Sequence, residues 1–477
     1  MKILLIQPPN QYEGHSRGTA FFPIGLGYVA GALLEAGHEV QIFDINAYDY
    51  SKTEVLSRLN EFQFDVIGIS AMSTQYNYVK WLAAEIKKQR PDIKIILGWV
   101  LASYNYPEVL NHTAVDICVI GEGENTIKEL MSNFDNLNIV DGIAYREAGK
   151  ITVNNNRRYI ENLSQTPRVP YELFPMEIYI GMINVIGVKQ KKRTINISTG
   201  RGCPFNCHFC SKSFSGVRLR SIDEVMSEIA ELKQQYQIEG VFFTDECLVF
   251  SRPRILDLCS KIKPLNLVWS CQGRVNLVDK ELLTVMKEAG CRAVGYGVES
   301  GSQEILRAMN KNTLVKQAVE AIKMTDEVGL EPIIQMMFGY PGENEKTLQE
   351  TVDFFTAIDH PGTELCPTTP LPGTYLWQWC KEKGLITDEK EALEKLESGY
   401  MPDAVDGFQI NFTDFPADKL REVRLAAEAQ IRRNYIRRHP IKSTIMFVDK
   451  VFRFIKRFGI KKTIKKISQK LKLTRAV

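Results

Sequence analysis

The sequence predicts an α/β protein made of two units in series. A doubly wound parallel sheet comes first, then a partial (β/α)6 barrel, then a helical C-terminal region. Three observations carry this prediction. Two stretches alternate short apolar runs with helical patterns, and a Pro- and Asn-containing stretch without periodicity separates them. The second series has six strands between Thr194 and Thr369, fewer residues than the roughly 250 of a closed eightfold barrel. The chain has 477 residues, enough for two or three domains. Its 44% hydrophobic and 25% charged content is that of an ordinary globular protein.

In the first series, residues 1–145, Lys2–Gln7 reads as a buried strand. Leu26, Val29, Ala30, Leu33 and Leu34 have helical spacing, and Gly37 ends that helix. Strands follow at Val40–Phe43, Val66–Ser70, Ile93–Leu97 and Ile117–Ile120. Strands alternating with helices make a parallel sheet, whose ligands sit beyond the C-terminal strand ends. Those ends carry Gln7-Pro8-Pro9-Asn10, Asp44, Ser70-Ala71-Met72-Ser73, Gly98-Trp99 and Gly121-Glu122-Gly123-Glu124. Residues 146–190, with Asn154-Asn155-Asn156, Pro167, Pro170 and Pro175, read as a linker. The barrel unit, 191–389, has apolar runs at Ile195–Ser198, Gly240–Thr244, Leu267–Cys271, Ala293–Val298, Ile333–Phe338 and Thr363–Thr369. Residues 390–438 are helical in pattern, and 439–477 form a basic amphipathic tail.

Charge is unevenly spread. Residues 432–477 hold sixteen Lys or Arg and one acid, Asp449, a balance of +15; the chain's net +3 leaves −12 for the rest. Val448, Val451, Phe452, Ile455 and Phe458 share a helical face, and Ile464, Ile467 and Leu471 resume it among lysines. Such a tail suits an anionic membrane surface. A packed, solvated helix is the structural alternative. Nucleic acid is set aside, because no binding fold surrounds the tail and the body is acidic. The opening apolar run is too short for a signal peptide, and Pro8-Pro9 ends it. No run of about 18 apolar residues suggests a spanning helix. Ten cysteines without an export signal imply a reducing, cytoplasmic setting, with the tail placing the protein peripherally at the inner membrane face.

The strongest chemical signal is Cys203-Pro204-Phe205-Asn206-Cys207-His208-Phe209-Cys210, just after the first barrel strand and Gly200-Arg201-Gly202. Clustered thiolates hold zinc or iron–sulfur clusters. A closed zinc site takes four ligands, and His208 is the candidate fourth. A [4Fe–4S] cluster held by Cys203, Cys207 and Cys210 alone keeps one iron open. S-adenosylmethionine (SAM) can chelate that iron through its amino and carboxylate groups. An electron from the cluster then cleaves SAM to methionine and a 5′-deoxyadenosyl radical, while the protein orients and shields. The spacing at a barrel strand end favours the cluster. The other seven cysteines are scattered and form no CxxC pair. Cys118 and Cys291 read as core, and Cys247 and Cys271 lie at strand ends.

The CxxxCxxC pattern, with aromatic Phe209 before the last cysteine, resembles the signature of the radical SAM superfamily, where that aromatic meets the adenine of SAM. Four further ordered matches extend the likeness over residues 194–385. Val241–Glu246 resembles the second-strand motif whose polar end binds the methionyl amino group. Asp245-Glu246-Cys247 replaces the usual Gly-Gly-Glu, so either Asp245 or Glu246 takes that role. Gly297–Ser302 resembles the fourth-strand motif and implies Glu299 and Ser300 at the SAM ribose and carboxylate. Gly339–Glu343 and Thr369–Thr374 resemble the turn after strand five and the last-strand segment. Arg274, after the third strand, suits the SAM carboxylate. Structural alternatives exist: solvated acids at 245 and 246, and an ion pair from Glu299 to Arg274 or Arg292.

The first unit resembles the cobalamin-binding domain of one radical SAM group, through Pro23–Tyr28, Gly37–Val40, Val115-Asp116 and Gly121–Glu124. This group lacks the Asp-x-His-x-x-Gly motif that gives cobalt a histidine, and Gln7–Gln11 occupies that loop here. The resemblance implies cobalamin at Ser70, Gly98 and Gly121. One departure is Gly98-Trp99, where the group has Gly-Gly; the Trp either obstructs the nucleotide tail or stacks on it. The expected function is cobalamin-dependent methylation, or related C–C or ring chemistry, on a lipid-like or other secondary metabolite, with a reductant such as flavodoxin or ferredoxin. The alternatives are a cobalamin-independent radical SAM enzyme whose first unit binds substrate, and a non-enzymatic cobalamin- or membrane-binding scaffold.

Overall fold

The computed structural model describes residues 1–10, 21–188, 190–212, 214, 216–399 and 410–445, and single positions 448, 451, 455 and 460. Most of the basic tail, including Phe452, Phe458, Ile464, Ile467 and Leu471, lies outside the described residues.

The first sheet has seven strands: β1 (Lys2–Gln7), β2 (Glu39–Asp44), β3 (Val66–Ser70), β4 (Lys94–Gly98), β5 (Ile117–Val119), β6 (Ile143–Glu147) and β7 (Lys150–Val153). Its order is β2-β1-β3-β4-β5-β6-β7. The first five strands run parallel; β6 and β7 add an antiparallel hairpin. That hairpin occupies the start of the stretch expected to be linker. Its strands escape an apolar-run reading because β6 ends in exposed Arg146 and Glu147, and β7 is buried on neither face. The linker also contains a short helix, Met176–Met182. Buried Tyr179 donates to Asp44 Oδ2 at the end of β2 (2.5 Å), tying this helix to the first sheet. Burial pushes the Asp44 carboxyl up to about 6.

The second sheet is wholly parallel and ordered as the chain runs: β8 (Thr194–Ile197), β9 (Gly240–Phe243), β10 (Val268–Gly273), β11 (Cys291–Glu299), β12 (Glu331–Phe338) and β13 (Leu365–Pro367). Six parallel strands with helices between them form the expected partial barrel. Apolar strands such as Ala293-Val294 and Val241 are fully buried, because helices cover one face and the barrel interior the other. The helix Leu420–Arg438 closes the far side: Arg424 donates to the Leu365 carbonyl, and Glu428 accepts the Leu365 N–H.

The two units share packing. Phe22, from the segment after the first strand, stacks edge-on with Phe174 and Tyr179. Its backbone exchanges hydrogen bonds with the Asn196 side chain on β8. One hydrophobic core accordingly runs from Leu5 and Ile96 of the first sheet to Val241 and Trp269 of the second.

Candidate active site at the junction of the two sheets

Parallel strands put alternate residues on one face, and here that face opens on a cavity of about 490 Å³. Its floor is Leu5, Gly68, Ile96 and Val119; two residues further along, at the strand ends, come Gln7, Ser70, Gly98 and Gly121. Opposite them stand Thr244, Asp245 and Glu246, just beyond β9. Ser70, Gly98 and Gly121, which the resemblance assigns to cobalamin, thus share one cavity with both acids assigned to SAM. The cradle is built of small side chains: a Cβ added at Gly98 would meet only a carbonyl, 3.9 Å away. This fits a group whose bulk must lie close to the backbone.

Trp99 lines the cavity and is 42% exposed, so it forms part of the rim rather than a plug. Its φ of +71° is a left-handed backbone, costly for a side-chain-bearing residue. This explains why a glycine suits the position, a reason that a single sequence does not display.

The cysteine loop sits at the mouth of the barrel. Among the described residues no three His, Cys, Asp or Glu side chains gather closely enough to share one metal ion. The fit to a cluster rests instead on the loop and its neighbours. Cys203 and Cys207 are half-buried, Cys210 is exposed, and all three thiols are free. His208, the candidate fourth zinc ligand, stacks on Tyr375 (4.0 Å between ring centroids) and places Nδ1 3.1 Å from the Ala308 carbonyl. Its backbone is also fixed: the N–H donates to Met309, and the carbonyl accepts from Leu376. Arg274 is buried, lies over the Phe205 ring at 3.7 Å and donates toward Cys207 Sγ at 3.9 Å. Phe209 faces Lys311, whose ammonium is 5.5 Å from the ring centre.

Around this loop the structure separates the assigned residues. Asp245 is buried and committed: both its oxygens accept the Thr199 N–H (3.1 and 3.0 Å), and one also accepts the Thr199 hydroxyl (2.7 Å). Burial raises its pKa, against those hydrogen bonds. Glu246, in contrast, is exposed to the cavity; the surrounding walls raise its pKa, and Lys212 opposes them. Burial also raises the Cys203 thiol, and the neighbouring Glu246 charge adds to it. Glu246 therefore links the cavity to the cluster loop. Ser300 is turned inward: its Oγ accepts the Ser302 N–H (3.1 Å) and lies 3.4 Å from Thr351 Oγ1.

Glu299 pairs with neither Arg274 nor Arg292. Its partner is buried Lys311, at 2.8 Å. Arg292 instead donates to the Lys287 and Cys291 carbonyls. Glu299 takes a left-handed φ of +69° where the β11–β12 register slips, and its carboxylate lies over Gly297, where an added Cβ would be 2.3 Å away. Lys311 was not foreseen. Its signal is Asn310-Lys311-Asn312, where both asparagines adopt positive φ (50° and 53°) and turn the lysine inward.

Sequence reasoning also missed the ion cluster joining the units. Glu122 accepts from Arg201 (2.5 Å), from Arg218 (2.8 and 2.9 Å) and from the Ile160 N–H (2.6 Å), while Glu124 takes the other arm of Arg201. The two acids of Gly121–Glu124, matched to a cobalamin motif, line the cavity beside the small-residue row and pair with the barrel unit's arginines. Cys247 and Cys271 are buried, and burial pushes Cys247 up to about 12.

Comparison with known proteins fits this geometry. Residues 197–355 match the radical SAM superfamily, and residues 14–131 match the B12 binding domain. An uncharacterised methyltransferase of Pyrococcus horikoshii is 32% identical over 398 residues, covering 81% of this chain and 84% of its own. The anaerobic magnesium-protoporphyrin IX monomethyl ester cyclase of Rubrivivax gelatinosus is 28% identical, with 81% of this chain and 71% of its own covered. Among solved structures, the radical SAM methyltransferase TsrM of Kitasatospora setae, with cobalamin and a [4Fe–4S] cluster bound, superimposes with a TM-score of 0.65 at 18% identity, covering 80% of this chain and 78% of that one. The fold and the site define a radical SAM enzyme with an N-terminal B12-binding domain. The chain belongs to the cobalamin-binding-domain-containing radical SAM enzyme family.

Proposed function

We propose that the protein transfers a methyl group to an unactivated carbon, or carries out related ring chemistry, on a secondary metabolite, with cobalamin and SAM bound in adjoining halves of one site. The single observation that carries this is the shared cavity: the small-residue row Ser70, Gly98 and Gly121 faces Asp245 and Glu246 across it. Cys203, Cys207 and Cys210 hold the cluster, which with SAM supplies radical chemistry once reduced by a flavodoxin- or ferredoxin-like donor. Phe209 borders the SAM adenine, Arg274 keeps a positive charge beside the cluster loop, and Glu299 holds the ribose from its strained turn. The named relatives act by methyl transfer and by ring cyclisation, which bounds the reaction class. Anaerobically purified, cobalamin-supplied protein is expected to show corrin absorbance and to form 5′-deoxyadenosine on reduction. Absence of corrin absorbance would leave the cobalamin-independent alternative.

Glu246 is the acid that receives the SAM amino group, because it is exposed to the cavity, whereas Asp245 is buried and already engaged by the Thr199 N–H and hydroxyl. A charged hydrogen bond is worth about 1.5–3 kcal/mol, so Glu246→Gln should weaken SAM binding by about tenfold or more. Asp245→Asn should instead lower the melting temperature, since an amide cannot accept from Thr199 on both sides. Equal SAM affinity for Glu246→Gln and the parent protein would return the role to Asp245.

The tail supplies the second part of the proposal, a tether to an anionic membrane surface and with it a lipid-like substrate. No helix among the described residues is long and apolar enough to cross a membrane. Beyond Arg438, however, Ile441, Ile445 and Val448 recur at helical spacing and are 77%, 65% and 52% exposed. Each nearby Lys or Arg adds about 1 kcal/mol of attraction to an anionic leaflet. Truncation after Arg438 should release the protein from phosphatidylserine-containing vesicles at low salt while leaving its iron content unchanged. Full-length protein that stays in the supernatant would remove the tether.

A further inference from the structure

The interior of the partial barrel is hollow. Strand register places Asn196, Phe242 and Ser270 of β8, β9 and β10 on one face of the second sheet. Gln272, Gly295, Gly297, Gln335 and Cys366 continue that face across β11 to β13. It runs on from the cavity: Asn196 and Ser198 line both, and cavity-lining Phe21 has its ring 5.3 Å from that of Phe242. The opposite face is packed, with Tyr296, Met336, Phe338 and Leu365 all buried. The inner one is not. On β12 and β13 Gln335 and Cys366 are exposed, and on β10 Gln272 is half-buried. A closed barrel fills its interior with layers of bulky side chains. Here two glycines and two glutamines stand in that place.

The chemistry of this lumen is selective. Gln272 lies across Gly295, where an added Cβ would be 2.4 Å from its Oε1. Gln335 pairs in register with Gly297, the next inward position of β11. Neither amide has a hydrogen-bond partner among the described residues, and each can both donate and accept. The register puts no Lys or Arg on this face. The cations above it are engaged, Arg274 at Asn276 and toward Cys207, and Lys311 at Glu299. An exposed acid, Glu364, precedes β13. A phosphate or carboxylate entering the lumen would give up water and gain no cation, which is costly.

We propose that the barrel lumen binds the reacting end of the substrate, and that this end is an uncharged group of the amide or lactam kind, exchanging hydrogen bonds with Gln272 and Gln335. This rests on the reading of the adjoining cavity as the reacting site, and adds to it the chemical class of the substrate. An alkyl chain would leave both amides unpaired, so a lipid-like substrate enters head first. An anionic head finds no free cation on this face.

Cys366 is the reporter, because its thiol is exposed on the lumen face. Iodoacetamide should alkylate it in full-length, cluster-containing protein under anaerobic conditions, with the rate read by peptide mass mapping. The neutral lactam 2-pyrrolidinone should slow that alkylation, and methylphosphonate at the same concentration should not. In the double variant Gln272→Leu, Gln335→Leu the lactam should protect about fivefold less, the loss of one or two hydrogen bonds. Its melting temperature and iron content should match the parent, since the two amides support no contact in the fold. Gln335→Arg supplies a cation and should make methylphosphonate protective. Equal protection by methylphosphonate in the parent, no protection by the lactam, or lactam protection undiminished in the double variant would overturn the proposal. Alkylation of Cys366 no faster than that of buried Cys380 would overturn it too, because the lumen would then be closed to small molecules. Parent protein that makes no 5′-deoxyadenosine on reduction would instead overturn the reading of the reacting site beneath it, an outcome read separately from alkylation.

Discussion

Alanine at Cys203, Cys207 or Cys210 should each remove the cluster and all SAM cleavage. The three thiols come from one eight-residue loop, and in the proposed site each would hold one iron of a cubane whose fourth corner stays open for SAM. No nearby group can substitute. His208 is stacked on Tyr375 and engaged at Ala308, and Cys247 is buried. The fold should survive, because the loop is held by backbone contacts independent of the thiols: His208 to Met309 and Leu376, and Asn310 Nδ2 to the Asn206 carbonyl. Iron analysis, the absorbance of the reconstituted cluster and 5′-deoxyadenosine after reduction check this directly. A triple-alanine variant that still bound about four irons and made 5′-deoxyadenosine would falsify the assignment.

The legibility of this chain follows from what each feature depends on. The strands were readable because buried parallel strands are nearly uninterrupted apolar runs; Val66–Ser70 was placed to the residue, and the barrel strands within a few residues. The hairpin β6–β7 was not, because an edge pair with exposed polar ends has no such run. Ser70, Gly98 and Gly121 could be placed from motif likeness. Gln7 could be placed as a strand-end residue, but its unpaired oxygen could not be foreseen, since that is a property of three-dimensional neighbours. The engagement of Asp245, and not Glu246, was likewise hidden, because its partner Thr199 lies on a different strand end. Trp99 looked like a departure in one side chain; its physical content is a left-handed backbone. Ion pairs were the least readable part: Glu299 offered two plausible arginines and took a lysine twelve residues on.

The second large effect is expected at the joint between the units. Glu122→Ala should destabilise the protein and loosen the corrinoid site at once. Glu122 is 3% exposed at its side chain, Arg201 10% and Arg218 12%, so these charges are poorly screened. A buried ion pair adds little net stability over an apolar pair, but removing one partner leaves the other buried and uncompensated, at a cost of about 3–5 kcal/mol. Here the cost should lie toward the upper end, because one carboxylate serves two guanidiniums. Without it, Arg218 keeps only the Ile160 carbonyl, and Arg201 keeps only Glu124. The aromatic faces of Tyr28, Tyr159 and Phe214 beside them give cation–π attraction worth about 0.5–2 kcal/mol, too little to replace the carboxylate. Position amplifies the effect. Glu122 lies between Gly121, on the cavity wall, and Gly123, while Arg201 stands one residue before Gly202 and two before Cys203. Gly202 has φ +87°, and an added Cβ would lie 2.0 Å from the Gly216 carbonyl, so this approach to the cluster loop has little room to adjust. The expected result for Glu122→Ala is a lower melting temperature, weaker hydroxocobalamin binding and faster protease cleavage between the units. Glu122→Gln, which keeps an acceptor for the arginines and the Ile160 N–H, should lose less on all three. Unchanged melting and corrinoid affinity in Glu122→Ala would show that the joint does not hold the two cofactor halves together.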